Sequence, residues 1–131
     1  YDVSIDQNGR TGEKPILWNY LSNASRKALY DALAKIIKLR IAQPVFQTTN
    51  FNSSFATADG IKYLRLNGTG GANVVVVGNF NVTPQTANIT FPANGTWYDF
   101  MNPGQTETIS GNYAKTLAPG EYHIYTTINY N

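Results

Sequence analysis

The 131-residue chain has no cysteine. That excludes disulfides and thiolate metal sites and is compatible with either redox compartment. Charge is also scarce: 14% of residues are Asp, Glu, Lys or Arg, and the net charge is +2. So small and dispersed an excess does not make the basic footprint that nucleic acid requires. No apolar stretch approaches the roughly 20 residues of a membrane-spanning helix. Neither nucleic acid nor membrane is an expected partner. There is no phosphate-binding glycine loop, no zinc-ligand spacing and no nucleophile elbow, so no cofactor or metal is expected. The chain opens on Tyr1-Asp2, with neither an initiating Met nor a signal peptide, which suggests a fragment of something longer. Asn, Thr, Gly and Tyr are abundant, a composition that suits a β-rich extracytoplasmic protein: secreted, periplasmic or cell-surface.

The most informative stretch is Val74, Val75, Val76 and Val77. Four β-branched residues in a row favour a pleated backbone. Gly70 and Gly71 before them, and Gly78 and Asn79 after them, bound the run. Apolar residues on both faces imply burial on both sides. This predicts a central strand with all four valines nearly inaccessible, Val75 and Val77 on one face and Val74 and Val76 on the other.

The remaining pattern is mainly β. Residues 45–51 read as a first strand or an extended lead-in, ended by breakers at Ser53-Ser54 and Asp59-Gly60. Further strands are expected over 61–66, 87–91, 96–101, 106–109 and 121–128. Asn94-Gly95 is the strongest hairpin signal and would join 87–91 to 96–101. About seven short strands separated by turns predict an antiparallel Greek-key-type β-sandwich with one N-terminal amphipathic helix. That helix is expected over 22–42, capped by Ser22 or Asn23. Its apolar face carries Ala28, Leu29, Ala32, Leu33, Ile36, Ile37 and Ile41. Asp31 and Lys35 form a favourable pair, and Pro44 stops the helix. Its mixed charge favours packing on its own protein over a membrane surface. The expected division is a loop and helix over 1–43 and a sandwich over 44–131.

Candidate chemistry is thin. Asp2, Ser4, Asp6, Asn8, Arg10 and Glu13 have the spacing of a calcium loop, but Gln7 stands where that loop needs glycine. A solvated loop is preferred. His123 lies in an alternating strand with no evident acidic or hydroxyl partner, so it reads as an ordinary strand residue. The eight carboxylates (Asp2, Asp6, Glu13, Asp31, Asp59, Asp99, Glu107 and Glu121) fall in no motif, and no catalytic residue is assigned. Trp97 and Tyr98 are the candidate carbohydrate contacts. As strand neighbours they face opposite ways, and bulk favours Trp97 for the core. Six Asn-x-Ser/Thr sequons, at Asn23, Asn52, Asn67, Asn81, Asn88 and Asn94, matter only where the source glycosylates.

Taken together, these stretches resemble the C-terminal end of an α-amylase-type enzyme of glycoside hydrolase family 13. Residues 26–46 look like the last helix of that family's (β/α)₈ barrel and its exit. Residues 75–80, Val-Val-Val-Gly-Asn-Phe, look like the central strand of the β-sandwich that follows. Residues 95–99, Gly-Thr-Trp-Tyr-Asp, and 117–125, Leu-Ala-Pro-Gly-Glu-Tyr-His-Ile-Tyr, match later strands. The resemblance implies a non-catalytic C-terminal domain of an enzyme acting on α-glucans such as starch. Such a domain packs against the catalytic barrel of the same chain and stabilises it. The family's Asp nucleophile, Glu acid/base and second Asp belong to earlier barrel strands, and no residue here matches them. The alternative is a carbohydrate-binding module that uses an aromatic face of the sandwich. Either way, the helix would bare an apolar face suited to the barrel or to self-association.

Overall fold

The computed structural model describes residues 17–55 and 60–131. The calcium-loop spacing of residues 2–13 lies outside them. The chain falls into two compact units that divide between Lys38 and Leu39.

In the first unit a 3₁₀ turn, Trp18–Ser22, leads into α1 (Ala24–Ala42), whose last residues belong to the second unit. Asn23 is the cap: its Oδ1 accepts the N–H groups of Ser25 at 3.1 Å and Arg26 at 3.2 Å, donors that a helix start leaves unpaired. Ser22 instead donates to the Asn19 carbonyl. Asp31 bonds Lys27, one turn before it, at 2.6 Å, an exposed pair worth a few tenths of a kcal/mol at most, roughly. Leu29, Leu33 and Ile37 are 63%, 51% and 56% exposed. After Ala42, Gln43 turns extended ahead of Pro44, as a residue preceding proline favours.

The second unit is a sandwich of antiparallel strands. One sheet has six, in the order β1 (Phe51–Ser54), β2 (Ile61–Asn67), β3 (Asn73–Asn79), β8 (Tyr122–Thr126), β5 (Gly95–Asp99) and β6 (Thr106–Ile109). The other pairs β4 (Gln85–Thr90) with β7 (Asn112–Leu117). The valine strand β3 is interior to the larger sheet, between β2 and β8. Val75 and Val77 face the second sheet and share a core with Ala87, Ile89, Phe91, Trp97, Leu117 and Tyr125. Val74, on the opposite face, is also fully buried.

Several expectations need correction. Val76 is only half-buried: the two-stranded sheet does not cover its face of β3, and the cover that buries Val74 on that face does not extend to it. Residues 45–51 do not form a strand. Pro44 opens a 3₁₀ turn, Pro44–Gln47, closed by Thr48 N–H on the Val45 carbonyl. The first strand starts at Phe51 and runs through the supposed breakers, since Ser53 and Ser54 pair with Leu64 and Tyr63; sheet pairing overrides their weak β preference. Asn94-Gly95 is not a hairpin turn. β4 and β5 lie in different sheets, so residues 91–94 carry the chain across the core. Asn94 there uses its side chain to accept the Gly111 N–H. β7 was not expected, because Lys115 occupies an inward position between Tyr113 and Leu117 and hides the apolar alternation.

Two small residues set the ends of the β2–β3 hairpin. Asn79 is buried; its amide nitrogen faces the carbonyls of Thr83, Leu117 and Ala118 at 2.9–3.2 Å, and its Oδ1 accepts the Asn81 N–H. At the other end, a Cβ on Gly68 would run into the Ala72 carbonyl oxygen and lie 2.8 Å from Val45 Cγ2. Overpacking of this kind typically costs about 1–3 kcal/mol. Gly68→Ala should lower the urea midpoint accordingly. Gly68 has an ordinary φ of −90°, so the loss would come from this clash and not from a positive φ.

Candidate functional site

The larger sheet brings dispersed polar residues to one place. In β8, His123 and Tyr125 point inward, as alternate residues must. Pairing of Asp99 with Tyr125 sets the end of β5 beside them. His123 Nδ1 lies 2.7 Å from Asp99 Oδ2, and Nε2 lies 2.8 Å from Glu121 Oε1. Asp99 is itself anchored. Its Oδ1 accepts the N–H groups of Met101 and Asn102, and its Oδ2 accepts the Asn102 side-chain amide at 2.7 Å. Glu121 Oε2 accepts the Ala118 N–H at 2.7 Å. The imidazole stacks on the Tyr125 ring, 5.2 Å between centroids at 11°.

A second cluster adjoins the first. Glu107 of β6 and Lys115 of β7 pair at 2.9 Å, and the Tyr113 hydroxyl donates to the same Glu107 oxygen at 3.1 Å. Lys115 also donates to the Tyr125 hydroxyl at 3.2 Å. Burial pushes the phenols of Tyr113 and Tyr125 far above their ordinary range, so both stay neutral. Burial pulls Lys115 down, but its bond to Glu107 and the nearby negative groups outweigh this and leave it raised. A cleft of about 590 Å³ opens over both clusters, lined also by Met101, Asn102, Gln105, Thr106 and Tyr122.

This arrangement does not have the geometry of a nucleophilic triad. Both nitrogens of His123 are taken by carboxylates, so neither is placed to draw a proton from a hydroxyl nucleophile, which a triad requires. Among the described residues, no three His, Cys, Asp or Glu side chains are arranged to hold a metal.

The expectation that His123 lacks an acidic partner is overturned. Glu121 was legible, since two residues apart in a strand means the same face; Asp99, 24 residues away, was not. Trp97 is fully buried, its Nε1–H donating to the Ala93 carbonyl. Tyr98 is half-buried on the opposite face. Neither joins the cleft.

The backbone N–H of Ala118, followed by the bond to His123, holds Glu121 below the usual carboxylate value of 4.5. A depressed folded-state pKa adds stability that is present above the unfolded value and lost as pH falls through the folded one. Stability should therefore decline as pH drops below about 4.5. Glu121→Gln should flatten that part of the profile, measured by urea unfolding between neutral pH and pH 3. An unchanged slope would contradict it. The effect should be small, because the side chain is 34% exposed and solvent screens it.

No protein-family model and no curated protein matches the sequence. Solved structures do match in fold. AmyP in complex with maltose aligns with 79% of this chain at TM-score 0.66 and 15% identity. An Anoxybacillus alpha-amylase aligns with 76% at TM-score 0.61 and 18% identity. The MutB D200A mutant in complex with glucose aligns with 96% at TM-score 0.61 and 20% identity. The alignments take in 21%, 22% and 24% of those chains, so this chain spans about a fifth to a quarter of the structures it resembles.

Proposed function

We propose that this chain is the non-catalytic C-terminal part of an α-amylase-type glycoside hydrolase acting on α-glucans, and that it packs against and stabilises the catalytic barrel. The likeness in fold to carbohydrate-active enzymes about three and a half to four times longer carries this proposal. The exposed row of Leu29, Leu33 and Ile37 adds support, because apolar surface of this kind ordinarily finds a partner; the barrel is the partner proposed. An extracytoplasmic location belongs to the same proposal and follows from the composition.

The chain alone is expected to release no reducing sugar from starch, pullulan or maltoheptaose. Retaining hydrolysis needs two carboxylates about 5–5.5 Å apart, one raised in pKa to act as the acid. Glu121 is instead lowered and bonded to His123, while Glu107 is paired with Lys115. Hydrolysis above buffer that disappears in Glu107→Gln or Glu121→Gln would make the sandwich itself the enzyme and overturn the proposal.

A further inference from the structure

Two hollows of the sandwich unit meet along Glu121 and Tyr122. One is the cleft over His123. The other, about 380 Å³, lies over Gly78 and is walled by Phe80 and Asn81. Phe80 is 76% exposed and Tyr122 41%. A Cβ on Gly78 would lie 3.2 Å from Phe80 Cε2 and 3.3 Å from Tyr122 Cβ, so the two side chains flank bare backbone and leave an apolar platform open to solvent. The platform stands at the Asn79 end of β3. The turn through Val45 meets Gly68 at the other end of the β2–β3 hairpin. Seven residues of strand separate the two by roughly 20 Å.

Past Tyr122, the cleft offers hydrogen-bonding groups with capacity to spare. Glu107 Oε2, the Gln105 side-chain amide and the Thr106 hydroxyl bond to no described residue. An apolar platform running into open donors and acceptors suits a ligand divided the same way. A pyranose has a C–H face that packs on aromatic rings, and each hydroxyl both donates and accepts. A neutral ligand suits the cleft better than an anion, because Lys115 is already matched by Glu107 and the lining also carries Asp99 and Glu121. A protein helix or strand would need a longer apolar strip than these two rings supply.

We propose that the Phe80–Tyr122 platform and the wall formed by Gln105 and Glu107 are one binding groove for a neutral oligosaccharide. One pyranose stacks at the platform and the next reaches into the cleft. Only the choice of an α-glucan as a probe rests on the function proposed above; the groove does not.

The test is calorimetric titration of the 131-residue chain with maltoheptaose and with cellohexaose. At least one should bind in the millimolar range or tighter. Phe80→Ala should weaken it about tenfold, or 1.4 kcal/mol, and Gln105→Ala should weaken it measurably. Phe51→Ala, an exposed ring on β1, should leave it unchanged. All three side chains are exposed, so the variants should fold, as circular dichroism would check. Binding of cellohexaose alone would keep the groove and count against an α-glucan. Binding of neither sugar, or binding that Phe80→Ala and Gln105→Ala leave intact, would overturn the groove without touching the proposed role of the domain.

Discussion

Trp97→Ala should destabilise the sandwich by about 3–5 kcal/mol, the usual cost of truncating a buried aromatic residue to alanine. Trp97 is fully buried in a core that both sheets share. Its ring meets Phe91 edge-on, 4.8 Å between centroids at 83°, the geometry that aromatic quadrupoles favour. Phe91 in turn contacts Tyr113 and Tyr125, so the cavity would open at the junction of the two sheets. The Ala93 carbonyl would also lose the indole N–H that it accepts at 3.1 Å. Domains of this size are stable by about 5–15 kcal/mol, so the variant would be marginal or unfolded. Urea unfolding measures the loss, with Phe80→Ala as the comparison; that ring is exposed and its removal should cost under about 0.5 kcal/mol. Similar losses for the two would mean that Trp97 is not in the core.

Asp99→Ala should also be damaging, because each buried donor it leaves unsatisfied costs about 1–3 kcal/mol. Asp99 and His123 are both buried. The Asp99 carboxylate takes two backbone N–H groups, the Asn102 amide and His123 Nδ1. Without it those donors face a void, and the turn after β5 loses its anchor. Glu121→Gln removes the other carboxylate on His123 from a position about one-third exposed, so its cost should stay below about 1 kcal/mol. Urea unfolding of both variants at pH 7 separates the roles. A loss below 1 kcal/mol for Asp99→Ala, or equal losses for the two, would show that the buried side of the clamp carries no special weight.

Features carried by contiguous residues were legible in the sequence. The valine run announced an interior strand, the 3.6-residue period of 28–41 announced the helix, and bulk placed Trp97 inside. What failed depended on partners distant in the chain. Ser53 and Ser54 form a strand because Leu64 and Tyr63 lie opposite them. Asn94-Gly95 has the chemistry of a hairpin, yet β4 pairs with β7 rather than β5. The cleft is the extreme case. Asp99, Glu107, Lys115, Glu121 and His123 come from four strands and one turn, and only the sheet order brings them together. Lys115 looked like an interruption of β7 because its counter-charge, Glu107, is supplied by β6.

The central claim is most directly tested by separating extract from the source organism on a starch-containing gel and probing it with an antibody raised against this chain. The expected result is an antibody band at about three and a half to four times 14.5 kDa, from the shares of this chain and of the matched structures that align, coinciding with a zone of cleared starch. A band at 14.5 kDa, or a larger one that leaves the starch intact, would contradict it.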